Sequence, residues 1–314
     1  MSIPLDVHLY VTPRCNLACP HCYYDALERG RQPDNLLPLA EIARVLVGLC
    51  THFEADISLE GGEPFLRAGI GAMLAELDPA VLARITVTTN GTVRVAVPAA
   101  VLTALGGLRV SIDGHTDDLQ QELRGIDVAP VLATYRDLCD NGASPVVRMT
   151  LYRRNIRRLA EVYEWAAIND VARLSLFEYQ ASGRGIGSDL LFGASEIDVG
   201  CLLDDLARLP RPDCVELVTL NLARRRLEAV AVREPLLRAG GMTVHFLPAV
   251  ANCTVNFDGT VGISPWRVTA HGSPDAFSHV SEPDLFEQIT EAARGGGLRD
   301  DGENISRVQL RYER

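Results

Sequence analysis

Six short segments rich in Val, Ile, Leu and Thr recur through residues 6–179, and each of the first five is followed by a helical pattern. The segments are DVHLYV (6–11), ADISLE (55–60), RITVTTN (84–90), LRVSIDG (108–114), PVVRMTL (145–151) and ARLSLFEY (172–179). Helical periodicity falls at 38–50, 66–77, 98–105, 128–141 and 156–168. A helix between two strands carries the chain back across the sheet, so consecutive strands run parallel. Six such units predict an α/β fold, a partial (β/α)6 barrel rather than a closed eight-fold one. In barrels of this kind the chemistry sits at the carboxyl ends of the strands.

The alternation stops at SGRGIGS (182–188). Beyond it the pattern predicts helices over 195–209 and 221–239, an extended MTVHFLP and a hairpin in CTVNFDGTVGISPW. Asp258-Gly259 is the turn signal of that hairpin, and a last helix is expected over 283–294. The reading divides the chain into a barrel over 1–185 and a small α+β extension over 186–314.

Composition narrows the partners. The net charge is −11, and no basic stripe of the kind that binds nucleic acid is present. All 30 basic residues are Arg, and the Arg-rich stretches at 153–158 and 223–233 alternate with apolar residues as solvated helix faces do. No apolar run is long enough to cross a bilayer, and MSIPLDVHLYVTP lacks a signal-peptide core, so a cytoplasmic protein is expected. An acidic surplus favours a cationic small-molecule substrate by long-range attraction. Asp117, Asp118 and Glu178, which follow strand ends, are the candidates to hold it.

Cysteine usage points to metal chemistry. Of eight cysteines, Cys15, Cys19 and Cys22 stand together as C-x3-C-x2-C directly after the first strand. Three thiolates at these spacings can ligate three irons of a cubane cluster, leaving one iron open to chelate a cofactor. The competing reading is a structural zinc site formed with His21.

CNLACPHCYY resembles the signature of the radical S-adenosylmethionine (SAM) superfamily, and the resemblance extends over residues 5–185. His21 takes a usually aromatic place. The resemblance implies one [4Fe–4S] cluster on Cys15, Cys19 and Cys22, cleavage of SAM to a 5′-deoxyadenosyl radical, and hydrogen abstraction from a substrate carbon. It also implies an external electron donor of flavodoxin or ferredoxin type. Gly61, Gly62, Glu63 and Pro64 match the family's segment after the second strand, with Glu63 expected to accept from the SAM amino group. Thr89 and Asn90 in TTNG, and Ser111 and Asp113 in SIDG, match the strand ends that line SAM. Arg148 matches a position that often meets the SAM carboxylate. GRG (183–185) resembles the stretch that shapes the adenine side.

The C-terminal hairpin resembles SPASM and twitch domains, which bind auxiliary clusters. Trp266 stands near the place of their cysteine, so a degenerate domain without an auxiliary cluster is expected. Cys253 is then either a small buried hydrophobe or a hydrogen-atom donor that quenches a substrate radical from the opposite face. The second reading resembles the radical SAM epimerases of aminoglycoside biosynthesis, and it predicts epimerisation of a sugar carbon on a polycationic antibiotic. The alternative is radical epimerisation or crosslinking of a ribosomally synthesised peptide.

Overall fold

The structure, a computed structural model, describes residues 2–28, 33–188, 193–298 and 305–312. Its first strand, β1 (Ile3–Tyr10), is followed by the two-residue β2 (Arg14–Cys15) and β3 (Leu27–Glu28), which pair with each other. Then come β4 (Phe53–Glu60), β5 (Ile85–Thr89), β6 (Gly107–Ser111), β7 (Val146–Leu151) and β8 (Arg173–Glu178). β1 and β4 to β8 pair side by side, all parallel, in chain order. This is the six-strand partial barrel that the alternation predicts.

The parallel sheet does not end at β8. β9 (Leu217–Ala223) pairs parallel with β8, and β11 (Ala251–Val255) pairs parallel with β1. Beyond β9 lie the antiparallel β14 (Ile305–Tyr312) and β10 (Met242–Phe246); beyond β11 lie β12 (Thr260–Gly262) and β13 (Ser278–His279). The predicted hairpin is β11–β12, with Gly259 at φ +90° in its turn. Arg307 on β14 reaches Asp6 on β1 (2.8 Å) and Asp56 on β4 (3.4 Å), tying the last strand to the first two of the barrel.

Strand sidedness explains where the core sits. Leu5, Val7 and Leu9 of β1 are buried in the main apolar cluster, whereas Asp6 and His8 line a cavity inside the barrel. The helix Leu39–His52 buries Ile42, Val45, Leu46 and Leu49, one stripe at helical spacing. Each such side chain contributes roughly 1.5–3 kcal/mol.

Several predicted elements differ in detail. The second helix is shorter, Ile70–Ala75, because Gly69 at φ +84° precedes it and Arg67 donates to the carbonyls of Val11 and Leu37. A polar helix, Asp117–Arg124, starts after Thr116 where none was predicted. Residues 221–223 belong to β9, and the helix begins at Leu227.

Candidate active site

The cysteine loop is built before any thiol is considered. It leaves β1 and is fastened by backbone at the carboxyl end of β4: Gly62 N donates to Thr12 O and Glu63 N to Arg14 O, both at 2.8 Å. A Cβ on Gly62 would lie 2.0 Å from Arg14 O, so only glycine lets the two backbones meet. From the other side comes the Gly-rich stretch after β8. Gly183 (φ +55°) presses against Tyr23 O, where a Cβ would lie 2.2 Å away. Arg184 N donates to Cys22 O at 2.9 Å. The Arg184 guanidinium donates to Cys19 O (3.2 Å) and Ala26 O (2.6 Å) and pairs with Asp25 (3.1 Å). The stretch expected at the adenine side therefore also clamps the cysteine loop.

Cys15, Cys19 and Cys22 all line one cavity at the carboxyl ends of the strands. Leu17 N donates to Cys15 Sγ at 3.4 Å, Ala26 N to Cys22 Sγ at 3.5 Å, and Asn90 Nδ2 to Cys15 Sγ at 3.6 Å. Burial pushes the Cys19 thiol up to about 12, with nearby Arg124 working against it. Burial raises Cys15 as well. These thiols stay protonated until a cationic centre arrives. Among the described residues no three His, Cys, Asp or Glu side chains are placed to hold a single metal ion. An all-thiol donor set spread around a roomy cavity fits an iron–sulfur cluster with an exchangeable position and does not fit one zinc ion.

The carboxylates sort differently from expectation. Glu63 is fully buried and is not part of the cavity lining. It accepts from Thr89 Oγ1 (2.8 Å), Asn90 N (2.7 Å) and Phe65 N (3.2 Å), and burial pushes its carboxyl up to about 7 despite these bonds. Pro64 likewise lies behind the wall, starting a 3-10 turn. Asp113 too is turned away from the cavity, a correction to its expected place beside SAM. It is held by Arg124 Nε (2.6 Å), His21 Nε2 (3.0 Å) and Thr150 N (2.6 Å). Burial opposes its charge, but Arg124 and His21 outweigh that and hold the carboxyl far below the usual range. Gly61, Gly62, Thr89, Asn90, Ser111 and Arg148 do line the cavity.

The open carboxylate is Glu60, which sequence reasoning passed over. It accepts a hydrogen bond from the Tyr23 hydroxyl at 2.5 Å, faces His8 Nδ1 at 3.2 Å and has Arg148 at 3.9 Å. Burial disfavours its charge, yet His8, Arg148 and Tyr23 together keep it ionised well below the usual range. The signal was available: an acidic residue at the carboxyl end of a strand, directly before a glycine pair. Trp266 was noted only as a missing cysteine. It packs edge-on against Tyr23 (5.4 Å between centroids) and against Phe177 (5.9 Å).

Cys253 is not at the site. It pairs in register with Val7, has no exposed surface and lies in the main apolar cluster, on the face of the sheet away from the cavity. Adjacent Asn252 shows the opposite face, toward the barrel interior. The donor assignment is corrected: Cys253 is a packing residue. The proposed acidic grip on a cation also fails at Glu178, which is buried and taken by Arg226 (3.1 Å), Arg225 (3.4 Å) and Ala223 N (2.8 Å). Asp117 accepts from Val128 N at 2.8 Å, a helix-start contact.

A parallel barrel with three thiols gathered on a loop after its first strand defines a class of iron–sulfur enzyme. Residues 9–166 match the sequence family described as the radical SAM superfamily, and the chain belongs to it. The family uses a [4Fe–4S] cluster and SAM. A probable GTP 3′,8-cyclase of Sulfurisphaera tokodaii is 27% identical over 184 residues, 57% of this chain and 58% of the relative. Fe-coproporphyrin III synthase of Methanosarcina barkeri is 26% identical over 207 residues, 63% of this chain and 51% of the relative. The chain thus spans little more than half the length of these relatives. Among solved structures, Streptococcus suis SuiB bound to SAM superposes with a TM-score of 0.63 at 16% identity, over 95% of this chain and 68% of that one. Native anSMEcpe with bound AdoMet gives 0.62 at 14% identity, over 94% and 83%. At such identities the likeness is one of fold.

Proposed function

We propose that Cys15, Cys19 and Cys22 hold the [4Fe–4S] cluster and that SAM lies in the same cavity, against Gly61, Gly62, Thr89, Asn90, Ser111 and Arg148. The observation that carries this is the convergence of the three thiols on one cavity with those strand-end residues. Bound there, cluster and SAM supply a radical able to remove a hydrogen atom from an unactivated carbon. The chain's own residues do the rest. Asn90 steadies Cys15 while its backbone holds Glu63. Asp113 ties His21 of the loop to Arg124. Tyr23, Phe177 and Trp266 wall the cavity with aromatic surface that keeps water from a radical. Residues 1–185 supply the thiols and the strand-end residues, and residues 186–314 add Trp266 to the cavity wall and extend the sheet through β9 and β11.

The substrate is a molecule that enters the barrel interior, and an external donor supplies the electron. Epimerisation of an aminoglycoside loses its support, because Cys253 is on the wrong face and Glu178 is occupied. Anaerobic reconstitution with iron and sulfide, followed by measurement of 5′-deoxyadenosine formed from SAM and a strong reductant, tests the reading. About four irons per chain and reductant-dependent 5′-deoxyadenosine are expected. Iron retained after Cys15, Cys19 and Cys22 are all replaced by Ala would overturn the ligand assignment.

A further inference from the structure

Behind the cofactor cavity lies a second, smaller one, sharing Arg148, Phe177 and Trp266 with the first. Its charged lining is unlike the rest of this acidic chain: Arg109, Arg148 and Arg307 against the single carboxylate of Asp6. Two of these arginines have partners. Arg307 is held by Asp6 and Asp56, and Arg148 lies over the Phe177 ring (4.2 Å) and 3.9 Å from Glu60. Arg109 has no carboxylate within ion-pair distance among the described residues. Its one hydrogen bond goes to Ser58 Oγ at 3.1 Å.

That leaves most of a guanidinium's five donors without a protein partner among the described residues, on a half-buried side chain that faces the second cavity. Burial and the neighbouring Arg148 press the group's affinity for its proton down to about 10, with Glu60 offsetting only part. The planar fork of Arg matches a carboxylate or a phosphate in two parallel hydrogen bonds.

We propose that the second cavity is a substrate subsite for an anionic group, a carboxylate or a phosphate, gripped by Arg109. The inference rests on reading the adjoining cavity as catalytic, with the substrate spanning both. It replaces the cationic substrate expected from net charge: the outer surface is acidic, but the interior that would hold the substrate is basic.

The test is thermal unfolding of the reconstituted full chain with SAM, titrated separately with inorganic phosphate and with malonate. Saturable stabilisation of the wild type by one anion assigns that chemistry; stabilisation by neither overturns the proposal. Arg109→Met should weaken the stabilising anion by about tenfold or more. Arg109→Lys, which keeps charge but not the fork, should lose less. Without anion, Arg109→Met should melt no lower than wild type, whereas Arg226→Met, which strands the buried Glu178, should melt lower. An undiminished anion effect in Arg109→Met, or a drop without anion equal to that of Arg226→Met, would make Arg109 a structural residue and sink the idea. The readout needs no turnover, so it stands apart from the 5′-deoxyadenosine assay.

Discussion

Cys19 and Cys253 are both raised to about 12 by burial, yet they belong to different parts of the molecule. Around Cys19 the burial is offset by Arg124, two other thiols are near, and a cavity opens in front. Around Cys253 burial is the only influence, and its neighbours are apolar side chains between sheet and helices. A thiol's proton affinity alone therefore does not mark a site. What marks it is a surrounding that can receive a positive centre: backbone N–H groups aimed at sulfur, a guanidinium, and space. The two regions also differ in how they are held. The cysteine loop is fixed by hydrogen bonds from β4 and from Arg184. β11 is fixed by its ladder with β1 and by packing.

The sharpest way to break this contrast is to remove thiols on each side. Replacing Cys15, Cys19 and Cys22 by Ala should abolish both iron binding and 5′-deoxyadenosine formation. Cys253→Ala should keep both. Loss of turnover in a well-folded Cys253→Ala protein would return it to the chemistry.

Next in size is the clamp. Arg184→Ala should leave most of the iron bound but lower turnover by roughly 10- to 100-fold, as loss of outer contacts to metal ligands does. The electron paramagnetic resonance spectrum of the reduced cluster should change too, and Arg184→Lys should restore part of it. An unchanged spectrum with wild-type turnover would show that the β4 contacts alone hold the loop.

A pH experiment sharpens the electrostatic side. Glu63 is raised from 4.5 to about 7 in the folded chain, by burial first. Between those values the folded state holds more protons than the unfolded one, so its contribution to stability falls as pH rises from about 4.5 to about 7. The loss is at most about 3 kcal/mol. In cluster-free protein, the difference in unfolding free energy between wild type and Glu63→Gln should drift across this window. A flat difference would mean that Glu63 is solvated.

The smallest effect belongs to the apolar side. Cys253→Ala should cost roughly 1 kcal/mol of stability, as the loss of a small buried group does, measured by chemical denaturation of the cluster-free chain. A stabilised variant would contradict close packing around that sulfur.

Much of the fold could be read from local pattern, since six apolar segments separated by helical periods leave few arrangements. The cysteine motif was equally legible, because its three thiols lie within eight residues of one loop. Arg184 was not: GRG resembles the stretch that shapes the adenine side, and nothing local shows that β8 delivers its arginine against Cys19, 165 residues earlier in the chain. Nor was β9, whose end reads as helix, nor the pairing of β11 with β1: the hairpin is predicted, but its place beside the first strand comes from the edge it meets.

The chain by itself determined the class: the order of strands, the thiol spacing and the glycines after β4 are properties of short segments, set by local sterics and side-chain period. Tertiary structure decided which side of each strand faces the barrel interior. Register fixes that sidedness, and shifting it by one residue exchanges the faces. So Cys253, in step with Val7, turned to the core, while Glu60, Arg109 and Arg148 turned inward. Only the assembled barrel shows that an acidic chain gathers Arg109, Arg148 and Arg307 around one interior cavity, because charge summed along a chain carries no record of where the charges meet.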